Sequence, residues 1–146
     1  MITIKVKNQG KQPLPTYAHS SDSGMDAKAN IEEPITLRSL ERQLIPTGLV
    51  FEIPEGYEVQ VRPRSGLALK HGISVLNTPG TIDAGYRGEI GIVLVNLSKD
   101  NYTILPGEKI AQLVLVKVEK ANLELVEEFT NTTDRGSDGY GSTGTK

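Results

Sequence analysis

The chain has 146 residues, with 16 lysines and arginines against 18 aspartates and glutamates and a formal net charge of −2. That length predicts one domain with a real core, and the charge gives no basic field for duplex DNA, so an anionic ligand must meet a few placed cations. With no cysteine and only His19 and His71, disulfides, thiolate zinc and cysteine nucleophiles are excluded and a histidine-built metal centre is disfavoured, which fits a cytoplasmic or other reducing compartment.

In chain order the pattern is mostly β. No apolar run is long enough to span a membrane, and no basic-then-apolar leader is present. Ile2, Ile4 and Val6 alternate with Thr3 and Lys5, which predicts a strand. Asp26, in Ser23-Gly24-Met25-Asp26, is an isolated acid beside a glycine, either a solvated loop residue or a partner for Mg²⁺ and its waters. Leu37, Leu40, Glu41 and Leu44 stand at helical spacing before Pro46, so a short helix is expected over 37–44. Turn signals follow at Pro46-Thr47-Gly48 and Pro54-Glu55-Gly56. Tyr57, Val59 and Val61 alternate with Glu58, Gln60 and Arg62 as a second clear strand.

Pro63-Arg64-Ser65-Gly66-Leu67-Ala68 breaks that strand, because proline cannot continue the ladder. Arg64 brings charge, Ser65 a hydroxyl and Gly66 a free amide, suited to an anion or simply to a solvated turn. Ser65 to Lys70 predicts one helical turn with Gly72 at its end. Two turns then flank Ile82-Asp83 within Leu76-Asn77-Thr78-Pro79-Gly80-Thr81-Ile82-Asp83-Ala84-Gly85-Tyr86-Arg87-Gly88. Asp83 reads as a general base for a water or as an Asx-turn; Tyr86 as a sugar platform or as core. Ile90 to Val95 and Leu113 to Val116 are apolar runs that predict buried strands. Gly107-Glu108-Lys109-Ile110-Ala111-Gln112-Leu113 puts the amide of Gln112 among apolar neighbours, where it needs partners from the backbone or a ligand.

From Thr130 the composition turns small and polar, giving an expected division into a β-barrel over 1–129 and a flexible, glycine-rich tail over 130–146. In that tail Arg135 can fork onto a phosphate, Tyr140 can cover a base, and Gly141, Ser142 and Thr143 can cradle phosphate oxygens. Many short strands at close spacing predict an all-β fold, a jelly roll or distorted barrel.

Taken in order, these five segments resemble the five motifs of the trimeric dUTPases. The resemblance implies a homotrimer of jelly rolls with three shared sites, in which one subunit contributes the base-binding hairpin, a second the phosphate contacts and a third its tail. It implies Mg²⁺-dependent hydrolysis of dUTP to dUMP and diphosphate, which keeps uracil out of DNA and supplies dUMP for dTMP synthesis.

By the same resemblance, Asp83 activates the water that attacks the α-phosphorus, and Asp26 holds waters on the Mg²⁺. Arg64, Ser65, Gly66 and Gln112 grip the phosphate chain. Asn77 with the backbone of Gly80, Thr81 and Ile82 reads uracil, and Tyr86 excludes a 2′-hydroxyl. Arg135, Gly141, Ser142 and Thr143 close on the γ-phosphate while Tyr140 covers the base. Neither nucleic acid nor membrane is an expected partner. The family's last motif usually reads Arg-Gly-x-Gly-Gly-Phe-Gly-Ser-Thr-Gly. Here Asp138 replaces a glycine and is expected to point outward, and Tyr140 replaces the phenylalanine but keeps a stacking face. Two rival readings remain. One is a dCTP deaminase of the same fold, whose relatives use a glutamate base where this chain has Asp83. The other is a regulator that senses a nucleotide without turning it over.

Overall fold

The computed structural model describes residues 1–146. Eleven strands and one helix follow the turn signals: β1 (Lys5–Asn8), β2 (Gly24–Lys28), β3 (Ile35–Leu37), β4 (Arg42–Pro46), β5 (Leu49–Glu52), β6 (Tyr57–Arg62), α1 (Ser65–His71), β7 (Ile73–Val75), β8 (Gly80–Ile82), β9 (Gly91–Asn96), β10 (Tyr102–Ile104) and β11 (Lys109–Lys117). The pairings are all antiparallel and form a four-stranded sheet β2-β11-β6-β8, a three-stranded sheet β4-β9-β7, and the ribbons β1-β5 and β3-β10. Period-two alternation decides which face each strand buries. Val59 and Val61 of β6 point inward with Ala27, Ala111 and Leu113. They share one core with Ile45, Ile92, Leu94, Ile73 and Val75 of the three-stranded sheet.

Two local features shape the working edge of the larger sheet. The register of β11 against β2 shifts between Lys109 and Ala111, and there Ile110 and Ala111 are buried in succession. A bulge of this kind re-aims the side chains beside it. The buried polar residues hold the loops: Thr47 Oγ1 donates to the carbonyl of Ile90 at 2.6 Å. Asn96 donates through Nδ2 to the carbonyls of Leu37 at 2.9 Å and Asp100 at 2.8 Å.

The expected turn of helix after Arg64 is present as α1, closed by Gly72 in the left-handed region at φ 65°. The helix expected over 37–44 is absent. Leu37 ends β3 and is buried, whereas Leu40 and Leu44 are exposed and β4 begins at Arg42. Arg38 and Glu41 close a tight turn instead: the amide and Nε of Arg38 donate to the Glu41 carboxylate at 2.8 and 2.7 Å, and Leu40 takes φ 66°. The Arg38 guanidinium holds the Glu41 carboxyl below its ordinary range. The leucine spacing was helical by coincidence, since only one of the three leucines had a core to face.

The last tie to the barrel is the Val118 amide on the Gly56 carbonyl, at 2.8 Å. Residues 119–146 are exposed throughout, so the compositional change at 130 falls within a longer exposed stretch.

Candidate active site

Cross-strand register assembles the first group. Gln112 on β11 pairs with Asp26 on β2 and with Arg62 on β6, so one row crosses three strands. Arg64, just past the end of β6, donates Nε to Asp26 Oδ1 at 3.1 Å, and Lys109 Nζ sits 3.0 Å from Oδ2. Arg64 Nη1 also reaches the backbone carbonyl of Lys109 at 3.3 Å. The Asp26 side chain is only 18% exposed, which strengthens these charged contacts relative to a surface pair. Gly24 makes room here, since a Cβ at that position would lie 3.2 Å from Gln112 Oε1. Ser65 and Gly66 open α1 beside Arg64 and are exposed.

Behind this group, Glu108 accepts from the backbone amide of Leu105 at 2.9 Å and from the Tyr102 hydroxyl. Burial and the Glu108 carboxylate both push the Tyr102 phenol upward, so it stays a proton donor. Its ring tilts against His71 at the end of α1, with centroids 5.0 Å apart. The turn that launches Lys109 is thereby tied to the helix that follows Arg64.

The second group surrounds β8. Asn77 lies in the turn before it, which contains a cis Thr78–Pro79 bond. Gly80 fits because a Cβ would approach Val61 to 3.2 Å and the Asn77 amide to 3.3 Å. β8 is an edge strand, and an edge leaves one row of backbone donors and acceptors unpaired. A cavity of about 210 Å³ lies against it, lined by Thr81, Ile82, Asp83, Tyr86, Glu89, Ile90 and Gly91. Asp83 is exposed at its mouth and also borders a second cavity with Tyr57, Glu58 and Arg87. Tyr86 is not core: it is 47% exposed and its hydroxyl donates to the Glu89 carbonyl at 2.9 Å.

The third group stands apart. Arg135, Tyr140, Gly141, Ser142 and Thr143 are exposed, and their segment bonds within itself, as from Arg135 Nε to the carbonyl of Asp138 at 3.0 Å. Within one chain the first two groups are also separate. Ile82 lies opposite Val59, and Gln112 opposite Arg62. Those rows stand three residue steps apart on β6, about 10 Å of strand. Asp83 and Arg64 continue away from each other beyond them.

No three carboxylates or histidines gather as a metal site. Mg²⁺ commonly keeps several waters and is held by one or two carboxylates plus substrate phosphates, a demand the single Asp26 carboxylate fits. Lys109 and Glu108 had no expected role in the sequence. Lys109 meets Asp26 across the β2–β11 pairing, and Glu108 meets Tyr102 across the turn that precedes β11.

The fold is a mostly β barrel that carries a cation-flanked acid at one end of its larger sheet and an acid beside a small cavity at the other. A family model described as dUTPase matches residues 10–144. The deoxyuridine 5'-triphosphate nucleotidohydrolase of Fusobacterium nucleatum is 55% identical over 98% of this chain and 97% of its own. That of Finegoldia magna is 53% identical over 98% and 99%. The Staphylococcus bacteriophage 80alpha dUTPase with dUPNHPP superposes with a TM-score of 0.89 at 32% identity, covering 98% of this chain and 99% of that one. The chain belongs to the dUTPase family. A mutant dUTPase from phage phi11 of S. aureus, described with a structural Mg(II) ion, has a TM-score of 0.80 at 29% identity, over 88% of this chain and 99% of its own.

Proposed function

We propose that this chain hydrolyses dUTP to dUMP and diphosphate, with Asp83 as the general base. The placement of Asp83 at the mouth of the cavity formed by Thr81, Ile82 and Tyr86 carries this reading. Uracil pairs with the free edge of β8 and with Asn77, and deoxyribose lies against Tyr86. Backbone groups fixed for uracil would be stranded against cytosine, at about 1–3 kcal/mol for each buried group left unpaired. Asp83 takes a proton from water as its oxygen bonds to the α-phosphorus. The bond from that phosphorus to the bridging oxygen breaks, and diphosphate leaves.

Phosphoryl chemistry of this kind asks the protein mainly for position and charge. Arg64, Ser65, Gly66 and Gln112 supply both to the phosphate chain. Asp26 would hold Mg²⁺ through its waters, and the ion would supply charge neutralisation along the phosphate chain. Arg135, Gly141, Ser142 and Thr143 close over the γ-phosphate, and Tyr140 covers the base.

The separation of Asp83 from Arg64 along β6 supports a site shared between subunits of a homotrimer, the hairpin from one and the phosphate contacts from another. The exposed tail is free to serve a third. The test is diphosphate release from dUTP, UTP and the four common dNTPs, with and without Mg²⁺. Release from dUTP alone, lost on chelation, is the expected result. Ammonia from dCTP would instead favour the deaminase, and tight dUTP binding without release would favour the sensor.

A further inference from the structure

Arg64 meets Asp26 through one nitrogen only. Its Nε donates to Oδ1, while Oδ2 is held by the ammonium of Lys109 at 3.0 Å. Arginine and carboxylate prefer a two-pronged pair, because the planar guanidinium offers two parallel N–H groups that match the two oxygens. Here the second oxygen is already taken. Lys109 is well placed for this, as it opens β11 at the bulge and its own carbonyl steadies Arg64 Nη1 at 3.3 Å.

We infer that Lys109 is a positioning residue for the phosphate end of the site: by holding Asp26 Oδ2 it blocks a two-pronged Arg64–Asp26 pair and leaves Arg64 Nη2 for the triphosphate. Without the ammonium, Asp26 turns both oxygens onto Arg64 and the two groups neutralise each other. The arginine then has to be pulled from its partner before it can grip a phosphate. Lys109 acts through Asp26 and Arg64, and this inference rests on the dUTP reading above.

The experiment measures binding of a non-hydrolysable dUTP analogue with Mg²⁺, and of deoxyuridine, by calorimetry. The proteins are the wild type, Lys109→Met, Lys109→Arg, Asp26→Asn and the Lys109→Met/Asp26→Asn double variant. Lys109→Met is expected to weaken the analogue by roughly tenfold to a hundredfold, as for a charged hydrogen bond lost, and to leave deoxyuridine unchanged. Lys109→Arg restores most of the affinity, because a cation again occupies Oδ2. In the Asp26→Asn background the same lysine removal costs only about threefold or less, because no carboxylate remains to capture Arg64.

Equal losses in both backgrounds would mean that Lys109 touches phosphate directly, and would overturn the inference. Unchanged analogue affinity in Lys109→Met would do so too, as would a parallel loss of deoxyuridine binding with a lowered melting temperature. A wild type that neither binds the analogue nor hydrolyses dUTP would remove the underlying reading, a result distinct from any of these.

Discussion

Asp83 and Tyr86 are each followed two residues later by a glycine, Gly85 and Gly88, and the roles proposed for them separate under substitution. Asp83→Asn keeps the shape of the β8 turn but removes the proposed proton acceptor, so turnover should fall by a factor of 10² or more, with the oligomeric state unchanged by light scattering. Gly88 is the other informative position. A Cβ there would lie 2.4 Å from the Tyr86 hydroxyl, a distance the ring can relieve only by moving. Gly88→Ala should therefore displace Tyr86 from its bond to the Glu89 carbonyl and erode the preference for dUTP over UTP. A kcat/KM ratio between those two substrates that does not change would show that Tyr86 sets no sugar selectivity. The turn itself was legible in the sequence, because turn chemistry around Ile82-Asp83 is local. Lys109 was not, since its partner Asp26 stands across a strand pairing that no local pattern encodes.

The short turns and strands tell a similar story about what local patterns can decide. The strands over 57–62 and 91–96 and the last strand were readable from apolar alternation or from β-branched runs, because each has a core face to satisfy. The segment over 37–44 misled because its leucines matched helical spacing while the Arg38–Glu41 ion pair and the backbone favoured a turn. That turn forces Leu40, which is 70% exposed, to φ 66°. A left-handed conformation costs an ordinary residue roughly 1–2 kcal/mol, partly offset in glycine by its greater loss of backbone freedom. Leu40→Gly should thus raise stability by about 0.5–1 kcal/mol in urea titration without altering activity. A lowered urea midpoint would show that Leu40 packs against something that its exposure does not suggest.

For the whole molecule, the exposed stretch after Val118 sets the main expectation. Truncation after Phe129 removes no buried side chain, so folding should survive while dUTP hydrolysis is crippled through loss of Arg135 and its neighbours. Unaltered kcat/KM in the truncated protein would show that the tail has no part in turnover. Composition set off 130–146 as a segment, but a sequence does not say what such a segment packs against. The same holds for the two ends of β6, whose distance apart depends on the pairing of β8 and β11.

That distance has a genetic counterpart. If the carboxylate and the guanidinium of each working centre come from different copies, two dead proteins can rescue one another. Co-refolding Asp83→Asn with Arg64→Met in equal amounts should revive about a quarter of native turnover, since each mixed trimer regains one intact centre of three. A chain that kept both groups of a centre to itself would give a mixture as inert as its ingredients.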